Sequence, residues 1–332
     1  MGVMLTLRIM DGRWDGMASY VVRRLLALIP VLLVVSIVVF LLIHLIPGDP
    51  AAVMLGAQAT PEQLAQLQEK MGLNEPLASQ FYHWIVHVLQ GDMGQSLVSD
   101  KDVNTLISER MPATIALTVY ALVISLILAI PLGIISAVKQ NTVWDYSSMV
   151  VALVGISVPN FWAALLLIIV FSLHLGWFPS TGYVTLLDNV WLHIKHLTLP
   201  ALSLGFIQAG VVTRMTRSSM LDVLRQDYIR TIRAKGGTAW HVIFRHGLKN
   251  AMIPIITIVG LNFGLLLGGT VVVETIFSIP GIGSLVVNSV FNRDYPVIQG
   301  VILYIALIYV LINLVVDLLY AYFDPKIDYS KG

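Results

Sequence analysis

The 332-residue sequence contains no cysteine. Structural disulfides and thiolate chemistry, redox or metal-binding, are thereby excluded, with nothing decided about compartment. Charge is scarce too: Asp, Glu, Lys and Arg make up 12% of the chain, about half the share of an ordinary soluble domain. No Gly-x-x-x-x-Gly-Lys-Ser/Thr is present to cradle nucleotide phosphates. His-Glu-x-x-His and Gly-x-Ser-x-Gly are also missing, which weakens the metalloprotease and serine-hydrolase readings. His193 and His196 stand three apart, and His83 and His87 four apart, but two imidazoles fall short of a closed metal site. They read as polar residues near a membrane interface. The expectation is a chain with no catalytic residues, no metal and no bound cofactor of its own.

What fills the sequence is apolar. Hydrophobic residues reach 57% and the mean hydropathy is +0.82. Charge-free runs lie between Arg24 and Asp49, Arg110 and Lys139, Asp145 and Asp188, Lys195 and Arg214, Lys249 and Glu274, and Asp294 and Asp317. Most exceed the roughly 20 residues a helix needs to cross a bilayer core. In lipid the backbone must satisfy its own hydrogen bonds, so these runs predict helices. The Lys195–Arg214 run is the shortest, and its span is expected to include a flanking turn. The fold class is therefore an all-α polytopic membrane protein with six transmembrane helices.

Orientation follows from the basic residues. With the N-terminus inside, 15 of the 20 Lys and Arg fall on cytoplasmic segments and five outside. This bias places both termini in the cytoplasm. The net charge of +1 hides the asymmetry and gives no sign of nucleic-acid binding. The first apolar run is too long for a signal-peptide core and reads as a true span. Residues 1–20 form a cytoplasmic extension, of which 1–16 read as an upstream-start extension or a disordered tail. Residues 21–46 make the first span, 47–111 a small extracytoplasmic helical cap, and 112–332 the core with spans two to six. That core carries a cytoplasmic loop at 217–250.

The cap has eight acidic against three basic residues. It opens on the turn cluster Pro47-Gly48-Asp49-Pro50. Thr60-Pro61-Glu62-Gln63 predicts a capped helix that Gly72 closes, and Phe81–Leu89 predicts a second amphipathic helix. Within the spans, Glu274 and Asp317 are costly acids. For Glu274 two readings stand, a gate or brace of the outer mouth and an interfacial carboxylate capping nearby backbone. Asp317 reads as structural. Asn262, with Gly260, Gly264, Gly268 and Gly269, gives span five a small face suited to a pathway or to helix packing. Asn262, Gly264 and Glu274 are the candidate pathway or outer-gate residues. Pro131 and Pro159 predict kinks in spans two and three.

The most basic stretch lies between spans four and five. Asp227 is positioned to cap a short helix over Tyr228–Lys235, which Gly236 and Gly237 close by a left-handed turn. Tyr228, Ile229 and Ile232 share one face, while Arg230, Arg233 and Lys235 lie around the others. Charge alone fits anionic lipid headgroups as well as a protein partner.

The order of residue types is more specific. Tyr228-Ile229-Arg230-Thr231-Ile232-Arg233-Ala234-Lys235-Gly236, then Leu248-Lys249-Asn250-Ala251-Met252-Ile253-Pro254, resembles the coupling motif of ABC importer permeases of the dipeptide/oligopeptide/nickel branch. The likeness runs through Arg23-Arg24-Leu25-Leu26, Ile46-Pro47-Gly48-Asp49-Pro50, Gly91-Asp92-x-Gly94-x-Ser96 and Arg214-Met215-Thr216-Arg217. It continues in Glu274-Thr275-Ile276-Phe277-Ser278-Ile279-Pro280-Gly281-Ile282-Gly283, Arg293-Asp294-Tyr295-Pro296 and Asn313-Leu314-Val315-Val316-Asp317. The chain departs from the broad consensus, with Arg230-Thr231-Ile232 where that has Glu-Ala-Ala, and with Ile232 and Gly247 replacing the branch's usual alanines.

The resemblance implies a permease subunit, without catalytic activity, in the cytoplasmic (inner) membrane of the cell. Its partners would be a second homologous permease, two ATP-binding subunits carrying ATP and Mg, an extracytoplasmic substrate-binding protein, and membrane lipid. Tyr228, Ile229, Arg230, Thr231, Arg233, Ala234, Lys235 and Gly236 would contact the ATPase. The implied cargo is a di- or oligopeptide, with nickel complexes or glutathione as alternatives in the same branch. An ion-coupled transporter and a membrane sensor are the readings from other classes.

Overall fold

The computed structural model describes residues 26–41, 50–55, 59–70 and 72–323. The expected extension at 1–16 and the Pro47-Gly48-Asp49 turn lie outside them. Regular structure among the described residues is helical, apart from one antiparallel bridge between Gln95 and Asp102. The chain divides into two units, Met1–Pro112 with Ser284–Leu311 and Ala113–Gly283 with Ile312–Gly332.

In the first unit, α1 (Leu26–Leu41) is a shorter apolar helix. Its Phe40 meets Phe81 and Trp84 of α4 (Leu77–Leu89) at ring distances of 5.3 and 5.8 Å. Between them lie α2 (Pro50–Leu55) and α3 (Pro61–Lys70). The expected cap of α3 is a reciprocal box: the Gln63 amide donates to Thr60 Oγ1, and the Thr60 amide donates to Gln63 Oε1. Gly72, with φ +67°, ends it. Helix α5 (Val103–Val138) starts inside the stretch read as cap, well before residue 112.

The second unit continues α5 and adds α6 (Val143–Ser157), α7 (Asn160–Leu167) with a π-helical extension Ile168–His174, and α8 (Val190–Leu224). Then come α9 (Asp227–Ala234), a π-helical segment His241–Leu248, and α10 (Lys249–Ile276). Helices α11 (Ile282–Phe291) and α12 (Tyr295–Phe323) complete the described chain.

Among the described residues four helices are long and apolar enough to cross a membrane, and a fifth crossing is added if α6 and α7 count as one broken span. The break is sharp, 104°. Its cause is local: Pro159 forces Val158 into an extended conformation and denies the helix an amide. Pro131, in contrast, sits within an uninterrupted α5. Helix α8 also differs from expectation. It runs 35 residues and carries Lys195, Arg214 and Arg217 inside it, so its charges do not mark its ends.

Helix α8 is the hub of its unit, with 67% of its apolar window buried against 22% for the span His241–Gly264. Its small residues let neighbours come very close. A Cβ on Gly205 would lie 2.7 Å from the Ala121 carbonyl oxygen of α5, and one on Gly210 would lie 2.4 Å from that of Ala152 on α6.

Candidate functional site

Helix α9 forms because Asp227–Ala234 offers one apolar stripe and ends on a residue free to turn left-handed. Ile229 is fully buried and Ile232 half-buried, whereas Arg230, Arg233, Ala234, Lys235 and Gly236 are exposed. Burying an isoleucine contributes about 1.5–3 kcal/mol, enough to seat so short a helix. Gly236 has φ +83°. Its amide donates to Arg233 O, and the Gly237 amide to Ile232 O, a paired closure that satisfies the last carbonyls. Asp227 is not the cap: Gln226 occupies that position without a side-chain bond, and Asp227 opens the first turn. There it holds Arg230 at 3.3 Å and suits the positive helix end.

The helix is tied to the next stretch of chain. Asn250 Nδ2 donates to Tyr228 Oη at 3.2 Å and to the His246 carbonyl at 2.7 Å. Partial burial holds the Tyr228 hydroxyl above its ordinary pKa, and the bond from Asn250 opposes this. Gly247 leaves room for Met220 and Leu224 of α8, whose nearest methyls would meet an added Cβ at 3.2 and 3.3 Å. Trp240 and Phe244 stack at 3.9 Å on the exposed side.

A second anchor lies near the same ends of α5, α6 and α8. Arg217 Nε and Nη2 donate to the two Asp145 oxygens at 2.7 and 2.8 Å. Ser136 Oγ and the Asn141 amide donate to the same carboxylate. Asp145 is buried and Arg217 largely so. A fork-to-fork pair of this kind fixes geometry as well as charge, so it joins the α5–α6 turn to α8. Sequence reasoning missed it. The only signal was that both residues flank apolar runs.

At the far end of α10, Glu274 is fully buried. Thr114 Oγ1 donates to it at 2.6 Å and accepts the Ile282 amide at 2.8 Å. The Ile279 amide donates to the Glu274 carbonyl. A Cβ on Gly281 would lie 2.3 Å from Glu274 Cδ, and one on Gly283 would lie 2.5 Å from Val271 Cα. The glycines after Pro280 thus exist to admit this carboxylate. The carboxylate is thereby held against the 277–283 loop.

Asn262 is buried, and its Nδ2 has no hydrogen-bond partner among the described residues; Gln208 Nε2 on α8 is in the same state. Gly264 is half-buried. Gly260 packs tightly on Val316, while Gly268 faces open space. The small face of span five therefore serves packing at one position and leaves another free. A cavity of about 400 Å³ lies along the N-terminal part of this helix, lined by Met215, Ile253, Pro254, Thr257, Ile258 and Leu261. The Asp317 side chain lies outside the described residues.

In the first unit two motifs far apart in sequence meet. Ser96 Oγ and the Leu97 amide donate to buried Asp294 at 2.5 and 3.0 Å. Asp92 accepts from the Gly94 amide and contacts His87, which together hold its carboxyl below the usual value. His83 pairs with Glu75 at 3.3 Å. His193 bonds the Val184 carbonyl at 2.7 Å, and His196 Nδ1 is without a partner among the described residues. No group of three metal-binding side chains occurs among the described residues.

A bundle of long apolar helices, with a short basic helix between two of them, defines a polytopic helical membrane protein. Its family is shown by comparison. The chain belongs to the binding-protein-dependent transport system inner membrane components, whose profile matches residues 129–329, and the N-terminal profile for such membrane components matches 17–118. It is 49% identical to the dipeptide transport system permease protein DppB of Alkalihalophilus pseudofirmus, over 94% of this chain and 100% of that one. It is 47% identical to the glutathione transport system permease protein GsiC of Escherichia coli, over 95% and 100%. A solved inward-facing MetNI methionine ABC transporter superimposes with a TM-score of 0.56 at 15% identity, covering 66% of this chain and 96% of that one, a likeness of fold alone. The chain is a multi-pass inner-membrane permease subunit of an ABC importer, and ATP hydrolysis belongs to separate subunits.

Proposed function

We propose that this permease carries short peptides and pairs with a second homologous permease to enclose one pathway. It spans the membrane six times with both termini cytoplasmic, α1 and the broken α6–α7 pair each counting as a span. The 47–111 segment forms the outer cap, which receives cargo from the binding protein. Two ATP-binding subunits, with ATP and Mg, work beneath the pair, and this chain holds no cofactor.

The observation that carries the reading is α9. Ile229 seats it on the protein while Arg230, Arg233, Ala234 and Lys235 face outward with little bulk at Ala234 and Gly236. Such a helix offers a partner a close, cationic surface on a rigid mount. ATP-driven motion of the docked subunit would reach α8 and α10 through Ile229 and the Tyr228–Asn250 bond. The inner cavity beside Leu261, with Asn262 and Gly264 following it, lies on the proposed pathway, and Glu274 holds the outer loop. Peptide cargo is supported by the two relatives, one named for dipeptides and one for glutathione, both short peptides with free carboxylates.

The test is capture of an ATPase from detergent-solubilised membranes with wild-type protein beside Ala234→Asp and Gly236→Asp. The docking role of α9 requires an ATPase with wild type and its loss in both variants at equal permease yield. Equal capture in all three places docking elsewhere. Uptake of a labelled dipeptide, competed by unlabelled dipeptide and by glutathione, then fixes the cargo.

A further inference from the structure

The π-helical segment His241–Leu248 carries a feature that docking does not use. His241 and His246 are five apart, a spacing that an α-helix turns to different faces but a π-helical turn brings together. Their Nε2 atoms lie 3.3 Å apart, with ring centroids at 5.0 Å and planes at 63°. Both residues are half-buried, so their nitrogens remain within reach of water.

That separation is short enough for a hydrogen bond and equally suits a shared ligand. Two imidazoles at bonds of about 2.0–2.1 Å to one tetrahedral ion place their nitrogens about 3.3–3.4 Å apart. The ring nitrogens thus already stand at the separation that a single shared cation needs. We propose that His241 and His246 chelate one divalent d-block cation, zinc being the ion of choice for a tetrahedral imidazole site. Its remaining positions are filled by water, since no third His, Cys, Asp or Glu joins the pair among the described residues. In the metal-free protein the contact is a hydrogen bond from one Nε2–H to the other lone pair. On binding, that ring shifts to its Nδ1–H tautomer, and both Nε2 lone pairs become ligands.

The chelate would pin the π turn. His246 presents its carbonyl to Asn250 Nδ2, and the same amide reaches Tyr228 at the start of α9. Metal therefore suppresses opening of this segment. The site rests on the geometry of this segment, not on the docking role of α9, so either can fail without the other.

The experiment uses full-length protein in nanodiscs in a His83→Gln/His87→Gln background, which removes the exposed i,i+4 pair on α4. Cu²⁺ is titrated with electron paramagnetic resonance to count coordinating nitrogens, and Zn²⁺ by calorimetry. Hydrogen exchange is followed over residues 238–250. Two-nitrogen coordination is expected, with slower exchange in the metal-bound state. His241→Gln or His246→Gln alone should weaken affinity roughly 100-fold, the effective-concentration advantage of a second tethered ligand. His241→Gln with an unchanged melting temperature is the deciding variant. A one-nitrogen spectrum, affinity unchanged in His241→Gln, or two-nitrogen binding without slower exchange would each overturn the proposal.

Discussion

Glu274 shows how a single side chain dictates its neighbours. The carboxylate is fully buried and occupies the space that side chains at Gly281 and Gly283 would take. Gly281→Ala is expected to displace it and destabilise the protein by about 1–3 kcal/mol, the usual range for overpacking. Gly268→Ala, on the helix that carries Glu274 but in open space, should leave melting unchanged; thermal unfolding of the two variants side by side checks this. Thr114→Val is nearly isosteric, yet it strips a donor from Glu274 and an acceptor from the Ile282 amide. A loss of about 1–3 kcal/mol is expected. The Asp145–Arg217 pair is costlier to break. Arg217→Ala leaves a buried carboxylate without its countercharge, and about 3–5 kcal/mol should disappear, whereas Arg225, exposed and bonded to Gln140 at 3.3 Å, should tolerate alanine.

At the scale of elements, α9 ends on a glycine whose conformation few residues share. Gly236→Val should shorten or unseat the helix at a cost of about 1–2 kcal/mol, the left-handed penalty for an L-residue. Circular dichroism will barely register eight residues, so faster hydrogen exchange over Asp227–Ala234 is the measurement. This element was legible in the sequence because its signals are local: an apolar stripe of Tyr228, Ile229 and Ile232, cations opposite, and a glycine stop. Helix α3 was legible for the same reason, through its capping box. The break at Pro159 could be anticipated, but its 104° angle could not, since proline removes an amide without choosing a direction. The length of α8 was hidden because Lys195 and Arg214, which bound its charge-free run, lie inside the helix. Arg217 enters it too, since Asp145 neutralises it there. The π segments and the Ser96–Asp294 contact were out of reach, because partners nearly two hundred residues apart leave no periodic trace.

For the whole molecule, the absence of cysteine becomes an experimental advantage. Single cysteines can report topology with no background labelling. Under the proposed orientation, Glu62→Cys and Asp188→Cys react with an impermeant maleimide on intact cells. Arg233→Cys and Lys139→Cys react only after permeabilisation. The inverse pattern would turn the protein over and place α9 outside, where no ATPase could reach it.

The close approaches along α8 bear on how such a molecule moves. Its 35 residues span roughly 52 Å at helical rise, well beyond the ~30 Å of hydrocarbon. At Gly205 and Gly210 it touches the backbones of α5 and α6 with no side chain between. Side chains can change rotamer and absorb a shove; backbone pressed on backbone cannot. At these two points the helices have no slack, so a displacement of α8 there is expected to carry α5 and α6 with it. Compliance is left to the parts that α8 does not grip in this way, and the less buried span His241–Gly264 is first among them.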